Sequence, residues 1–258
     1  MNQGLARQLA TWLHTAVGRP LAGAFLAQNC ALCHLPSANA PICPACAADL
    51  PTIPPAHCDR CALPMPAGLA QCPDCHRHPP LFDTATAAWV YGFPVDTLIR
   101  DFKYGHHLYL GRFFAEQLAI ALEQAWLRSS APRPDLIVPM PLHPNRLRSR
   151  GFNQAAEIAR HLSRRLQIPC AYDALVRMHD TPPQAGLPRA ARWQNLQGAF
   201  ACPAPIRARN ILLVDDVLTT GASLSACADV LRQSGATRID VAVVARTPAP
   251  EASSATEC

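Results

Sequence analysis

Eight of the chain's twelve cysteines fall into four C-x-x-C pairs: Cys30 and Cys33, Cys43 and Cys46, Cys58 and Cys61, Cys72 and Cys75. Nine residues separate the first two pairs, ten the last two, and eleven the two halves. Each pair lets two thiolates converge on one metal ion, and two such knuckles complete a closed tetrahedron. The pattern therefore predicts two structural zinc ions, with sequential pairing favoured over interleaved. A redox C-x-x-C and an iron–sulfur cluster are the alternatives. Four repeated knuckles with no adjoining βαβ pattern argue against the redox role. Residues 30–78 hold few large apolar side chains and cannot build a core of their own, so metal binding is expected to supply the folding energy of this double zinc ribbon. The ribbon surface is a candidate for contact with a partner or nucleic acid.

The rest of the chain bounds what surrounds the ribbon. Its 258 residues suffice for one sizeable core plus a small appendage. Residues 1–29 read as a helical lead, with Leu5, Leu9, Trp12 and Ala16 at helical spacing. They lack the unbroken apolar core of a secretory signal, which with the cysteine pattern points to a reducing, cytoplasmic setting. No run of 18 apolar residues is present, so no membrane span is expected. Residues 79–250 form the main domain, and 251–258 read as a frayed, disordered tail. The net charge of +5 is compatible with phosphate ligands or nucleic acid and proves neither. Lys103 is the one lysine among 23 basic residues, which makes it a candidate for a place where a compact ammonium is needed.

Within 79–250, strand and helix patterns alternate. "TATAAWVYGF" reads as a strand. "PVDTLIRDFKYG" reads as a helix with Val95, Leu98, Ile99 and Phe102 on one face, and Phe114, Leu118, Ala121, Leu122 and Ala125 mark a longer one. "DLIVPMP" and "NILLVDD" are buried strands, "GFNQAAEIARHLSRRLQ" and "GASLSACADVLRQSG" are helices, and "RIDVAVVART" is a last strand. This alternation predicts an α/β fold, a parallel sheet flanked by helices. Ligands of such sheets bind beyond the carboxyl ends of the strands, so "VPMPLH" and "DDVLTTGAS" are expected on one rim.

In "NILLVDDVLTTGAS", Asp215 and Asp216 close a buried strand just ahead of a turn built to receive negative charge. One aspartate could cap the following helix, but two followed by T-T-G-A-S exceed what a cap needs. The hydroxyls and backbone N–H groups of 219–223 would form an anion cup at a helix N-terminus, and Gly221 supplies close approach or a positive φ. A sugar with vicinal hydroxyls and a 5′-phosphate fits both halves.

"ILLVDDVLTTGAS" resembles the ribose-phosphate signature of the type I phosphoribosyltransferases. The resemblance implies that Asp215 and Asp216 take the ribose hydroxyls, positioning the sugar in any catalysis, and that Thr219, Thr220, Gly221, Ala222 and Ser223 hold the 5′-phosphate. Phosphoribosyl pyrophosphate with Mg²⁺ is the implied ligand. "VPMPLHPNRLRSRGFNQA" resembles the pyrophosphate loop of that fold, giving Pro139, Met140, Pro141, Leu142, His143, Arg146, Arg148 and Arg150, although these arginines could equally track a nucleic-acid backbone. "HDTPPQAGLPRAARWQNLQGAF" looks like the mobile loop that closes over substrate, with Gln184, Arg192 and Asn195 at the family's spacing. Together with "DFKYG", containing Lys103, and the cysteine pairs, these segments resemble the ComF family. That resemblance implies handling of incoming single-stranded DNA in natural transformation, alongside DNA-uptake proteins. A working transferase with an unidentified acceptor, and a zinc-dependent nucleic-acid-binding protein with a vestigial sugar site, are the alternatives. Elemental analysis of the purified chain should find two equivalents of zinc; one or none refutes the double ribbon.

Overall fold

The computed structural model describes residues 28–38, 40–180, 196 and 198–249. The expected N-terminal helix (apart from its last two residues), the tail and Gln184, Arg192 and Asn195 lie outside the described residues. The chain divides into two compact units, Met1–Leu50 and Pro51–Cys258. The first four cysteines therefore belong to the smaller unit and the second four to the larger.

Each unit builds its knuckles in the same way. Cys30 N–H donates to Leu35 and His34 N–H returns to Cys30; Cys58 N–H donates to Leu63 and Ala62 N–H returns to Cys58. His34 and Ala62 both take positive φ, 60° and 55°, to close these tight turns. The second knuckle of each set opens a one-turn helix, α1 (Pro44–Ala48) or α2 (Pro73–Arg77). In both, a cysteine is the N-cap and proline follows it, where its missing N–H costs nothing.

The larger unit is organised by four parallel strands: β1 (Thr84–Val90), β2 (Leu136–Pro139), β5 (Asn210–Leu218) and β6 (Arg238–Arg246), in the order β1-β6-β5-β2. The parallel sheet is the one the alternating pattern predicts. A short antiparallel pair, β3 (Val176–Arg177) with β4 (Phe200–Ala201), is additional. Strand β5 pairs on both edges, Leu213 lying opposite Val138 on one side and Val241 on the other. Such a strand must be apolar on both faces, and Ile211, Leu212, Leu213 and Val214 are all fully buried. Each contributes about 1.5–3 kcal/mol relative to exposure.

Helices cover the sheet according to their apolar stripes. In α3 (Val95–Tyr104) the buried residues are Val95, Leu98, Ile99 and Phe102, the face the spacing predicts. In α4 (Tyr109–Leu127), Phe114, Leu118 and Leu122 are buried, whereas Ala121 and Ala125 are half-buried at the stripe's edge. Trp89 of β1 stacks on Phe113 at 5.7 Å. Helix α5 (Pro144–Arg150) is short and carries the arginine cluster; α6 (Gln154–Leu166) buries Ala155, Ile158, Ala159 and Leu162. Helix α7 (Ala222–Gln233) packs through Leu224, Cys227, Ala228 and Leu231 into a cluster with Phe82, Leu213, Val241 and the four cysteines from Cys58 to Cys75.

Asn153 links the start of α6 to the rim. Its Oδ1 accepts from the N–H groups of Ala155 and Ala156 at 2.9 and 3.3 Å, and its Nδ2 donates to the Met140 carbonyl at 3.0 Å. Replacing Asn153 by Ala removes the cap and this tie to the loop. Chemical denaturation of Asn153→Ala should show a loss of about 1–2 kcal/mol.

Candidate functional site

Both cysteine tetrads have the geometry of a zinc site. Zinc–sulfur bonds of about 2.3 Å place the corners of a regular tetrahedron about 3.8 Å apart. Cys33 and Cys43 Sγ are 3.8 Å apart, as are Cys61 and Cys72 Sγ. The sets are sequential, Cys30, Cys33, Cys43 and Cys46, then Cys58, Cys61, Cys72 and Cys75, with all ligand atoms of a set within 4.8 Å of one another. Backbone N–H groups of Cys43 and Cys72 donate to Cys30 and Cys58 Sγ, as thiolate ligands require. The Cys61 thiol is pulled down to about 5 by a hydrogen bond from Cys75 and by the neighbouring Arg246 guanidinium. These residues fit structural zinc.

The second site sits at the carboxyl rim of the sheet. Strand β5 does not stop at the aspartates but continues through Val217 and Leu218, which pair with Ala245 and Arg246. The two carboxylates are thus held inside a strand, where successive side chains point to opposite faces. Asp216 is 5% exposed and forms an ion pair through Oδ2 with Lys103, at the end of α3. Burial pulls the Lys103 ammonium towards neutrality, but the Asp216 charge and hydrogen bond outweigh it and its pKa rises. Lys103 is therefore charged, and the lone lysine stands at this rim. Asp215 accepts from the Asp216 N–H at 2.8 Å. Burial and the charge of Asp216 push its carboxyl well above its ordinary 3.8.

Neither aspartate caps the next helix. The N-cap of α7 is Gly221, at φ 76°, with no side-chain cap and no acidic residue in the first turn. The first N–H groups of a helix have no intrahelical acceptor. Here no carboxylate occupies the positive end of the dipole, and Thr219 and Thr220 are exposed in front of it. Ala222 is buried and Ser223 half-buried within the first turn.

The loop after β2 joins this rim because β2 neighbours β5. Pro139 pairs with Val214, and Met140 N–H donates to the Val214 carbonyl at 2.8 Å. Pro141, Leu142 and His143 follow, half-buried, and His143 caps α5 by accepting from Asn145 N–H. The arginines then lie on a helix rather than an extended turn, so their alternate positions do not project them together. Arg146 faces Asp180 at 3.5 Å. Arg148 donates to Asn145, and Arg150 donates to Gln154 and Tyr104 while lying over the Tyr104 ring.

Two basic residues emerge that the sequence reading did not single out. Arg177, on β3, lies over Phe200 at 5.4 Å, and burial pulls its guanidinium below the usual range. Arg246 ends β6 almost wholly buried. An arginine closing the apolar run "VAVVAR" was the available signal, since a buried charge must be partnered.

A sheet whose carboxyl rim joins an adjacent acidic pair to a glycine-opened helix start, in a chain led by cysteine knuckles, defines a class: zinc-ribbon proteins with a phosphoribosyltransferase-type domain. The double zinc ribbon domain family matches residues 21–76, and the phosphoribosyl transferase domain family matches 151–257. Competence protein F of Haemophilus influenzae is 31% identical over 208 residues, covering 80% of this chain and 90% of its own. The DNA utilization protein YhgH of Escherichia coli K12 is 30% identical over 190 residues, covering 74% and 84%. A purine phosphoribosyltransferase from Pyrococcus horikoshii shares 19% identity with a TM-score of 0.34 over 53% of this chain and 75% of its own, too slight a likeness to bear on function. The chain belongs to the ComF family. Among the described residues, no helix is long and apolar enough to cross a membrane.

The raised pKa of Asp215 has a cost in stability. A carboxyl that is harder to ionise folded than unfolded adds no penalty below about pH 4. The penalty grows as the pH rises towards the folded value and is then fully present. Asp215→Asn should therefore raise the melting temperature of the ligand-free protein at pH 7, by about 2–4 °C per kcal/mol relieved. Calorimetric scans should show the gain shrinking towards pH 4.

Proposed function

We propose that this protein binds phosphoribosyl pyrophosphate with Mg²⁺ at the β5–α7 rim and acts in the cytoplasm in DNA uptake, handling incoming single-stranded DNA. The observation that supports this most is the juxtaposition on one strand–turn–helix of two adjacent carboxylates, one buried and one half-buried, and a helix start opened by Gly221 with no acidic residue in its first turn. The carboxylates accept from vicinal ribose hydroxyls of a ligand seated end-on at the rim, which both can reach from opposite sides of the strand. The N–H groups and hydroxyls of Thr219, Thr220, Gly221, Ala222 and Ser223 take the 5′-phosphate. Lys103 pairs with Asp216 Oδ2 and places a positive charge at the same rim. Backbone of 139–143, fixed by Met140 to β5 and by Asn153 to α6, faces the diphosphate from the adjoining strand. Mg²⁺ would neutralise part of the diphosphate charge.

The DNA role comes from the relatives' names, competence protein F and DNA utilization protein, and from the basic helix α5 beside the rim. In this reading the ribbon spanning 30–78 presents a surface to DNA or to an uptake protein.

Titration calorimetry with phosphoribosyl pyrophosphate and Mg²⁺ should show saturable binding at one site per chain. Asp215→Ala and Asp216→Ala should each weaken it by about 10- to 100-fold, the range of a lost charge-assisted hydrogen bond. No heat from the wild type, or affinity indifferent to both changes, sinks the ligand assignment. For DNA, single-strand affinity should fall steeply with salt, and replacing Arg146, Arg148 and Arg150 by Ala should flatten that slope; an unchanged slope removes α5 from the interface.

A further inference from the structure

Arg246 joins the second cysteine tetrad to the turn that follows β5. The side chain is 8% exposed. On one side, Nε donates to the Cys61 carbonyl at 2.9 Å and Nη2 approaches Cys61 Sγ at 3.8 Å. On the other, Nη1 donates to the carbonyls of Leu218 and Thr219 at 3.1 and 2.8 Å, and to the carbonyl and hydroxyl of Thr247 at 2.7 and 3.0 Å. Thr247 in turn donates its N–H to Leu218 at 3.0 Å. One planar fork of five donors thus fastens a cysteine that belongs to the tetrad and the residue that opens the anion turn. The carbonyls of Leu218 and Thr219 set the direction in which the following N–H groups point. Leu218 also touches the space beside Gly221, lying 3.4 Å from where a Cβ there would sit.

We propose that Arg246 is a positioning residue that couples metal occupancy of the Cys58, Cys61, Cys72 and Cys75 tetrad to the conformation of residues 219–223. With the tetrad closed on metal, Cys61 is immobile and holds one side of the guanidinium, whose other side then holds the turn. With the tetrad open, Cys61 is released, the fork loses two of its contacts, and the turn loosens. The coupling is reciprocal: a phosphate ligand that orders the turn also slows metal loss from this tetrad. The first tetrad belongs to the other compact unit. Lysine cannot replace the arginine, because one ammonium lacks the planar fork that reaches both sides.

The ligand-free arm of the test is hydrogen exchange on the full-length, zinc-loaded protein. Chelation should speed exchange of the 219–224 amides by about tenfold or more while α4 stays protected. Cys33→Ala, which opens only the first tetrad, should leave those amides unchanged. Arg246→Lys, still holding two zinc ions, should already exchange fast there and respond little to chelation. Unchanged exchange at 219–224 after measured zinc release overturns the proposal, as does a rise of equal size throughout α4. The second arm measures zinc release from Cys33→Ala into a chromogenic chelator, with and without ribose 5-phosphate. A severalfold slowing that disappears when Arg246→Lys is added supports the coupling, and bound ligand without slowing refutes it. This arm alone rests on the phosphate assignment: if ribose 5-phosphate does not bind, that assignment fails and the exchange experiment decides the coupling by itself.

Discussion

The burial of β5 governs the rest of the larger unit. This strand is paired on both edges and buried from Ile211 to Val214, yet it goes on to two adjacent carboxylates, Asp215 half-buried and Asp216 buried. Low polarity makes each charge costly and makes the pair repel. The chain resolves this unequally. Asp216 is given an ammonium, Lys103; Asp215 receives a backbone N–H, and its proton is held more tightly than in water. That arrangement is a poor one for stability alone, since an apolar pair would pack there at less cost.

The two cysteine tetrads look alike in sequence and differ in what they support. Both use the same knuckle, with a positive φ four residues after the first cysteine and a proline-led turn of helix at the second pair. The first tetrad, in the smaller unit, is less enclosed: Cys30 is buried, Cys43 and Cys46 are half-buried and Cys33 is exposed. The second is part of a core: Cys58, Cys61, Cys72 and Cys75 are all buried among Phe82, Leu213, Leu218 and Cys227. A metal site inside a packed cluster transmits its state to its neighbours, and Arg246 is the neighbour with polar contacts on both sides.

Much of this was legible in the chain before folding. Val95, Leu98, Ile99 and Phe102 form the buried face of α3 because a 3.6-residue period places them there whatever they pack against. The parallel sheet followed from strand patterns that alternate with helical ones. The rim went less well. Arg146, Arg148 and Arg150 are grouped in the sequence as part of one loop, whereas Pro144 after a capping His143 starts a short helix that carries all three. Strand β5 ran two residues further than expected because its end is set by pairing with β6, which local pattern does not encode. Arg246 was read as the end of a strand; its partners are 27 to 185 residues away in sequence, apart from its neighbour Thr247.

What the sequence determined by itself is whatever depends on near neighbours along the chain. The sulfur sets follow from C-x-x-C spacing, and the acidic pair lies beside the glycine-opened helix start because the few residues between them cannot carry the chain far. What only the tertiary structure decided is which distant charge comes to each. Lys103 reaches Asp216, and Arg246 reaches both Cys61 and Thr219, because the order of the strands and the packing of α3 and the second tetrad bring them to one rim. A buried charge must find a partner, but its identity is a property of the packed fold, and no local period carries it.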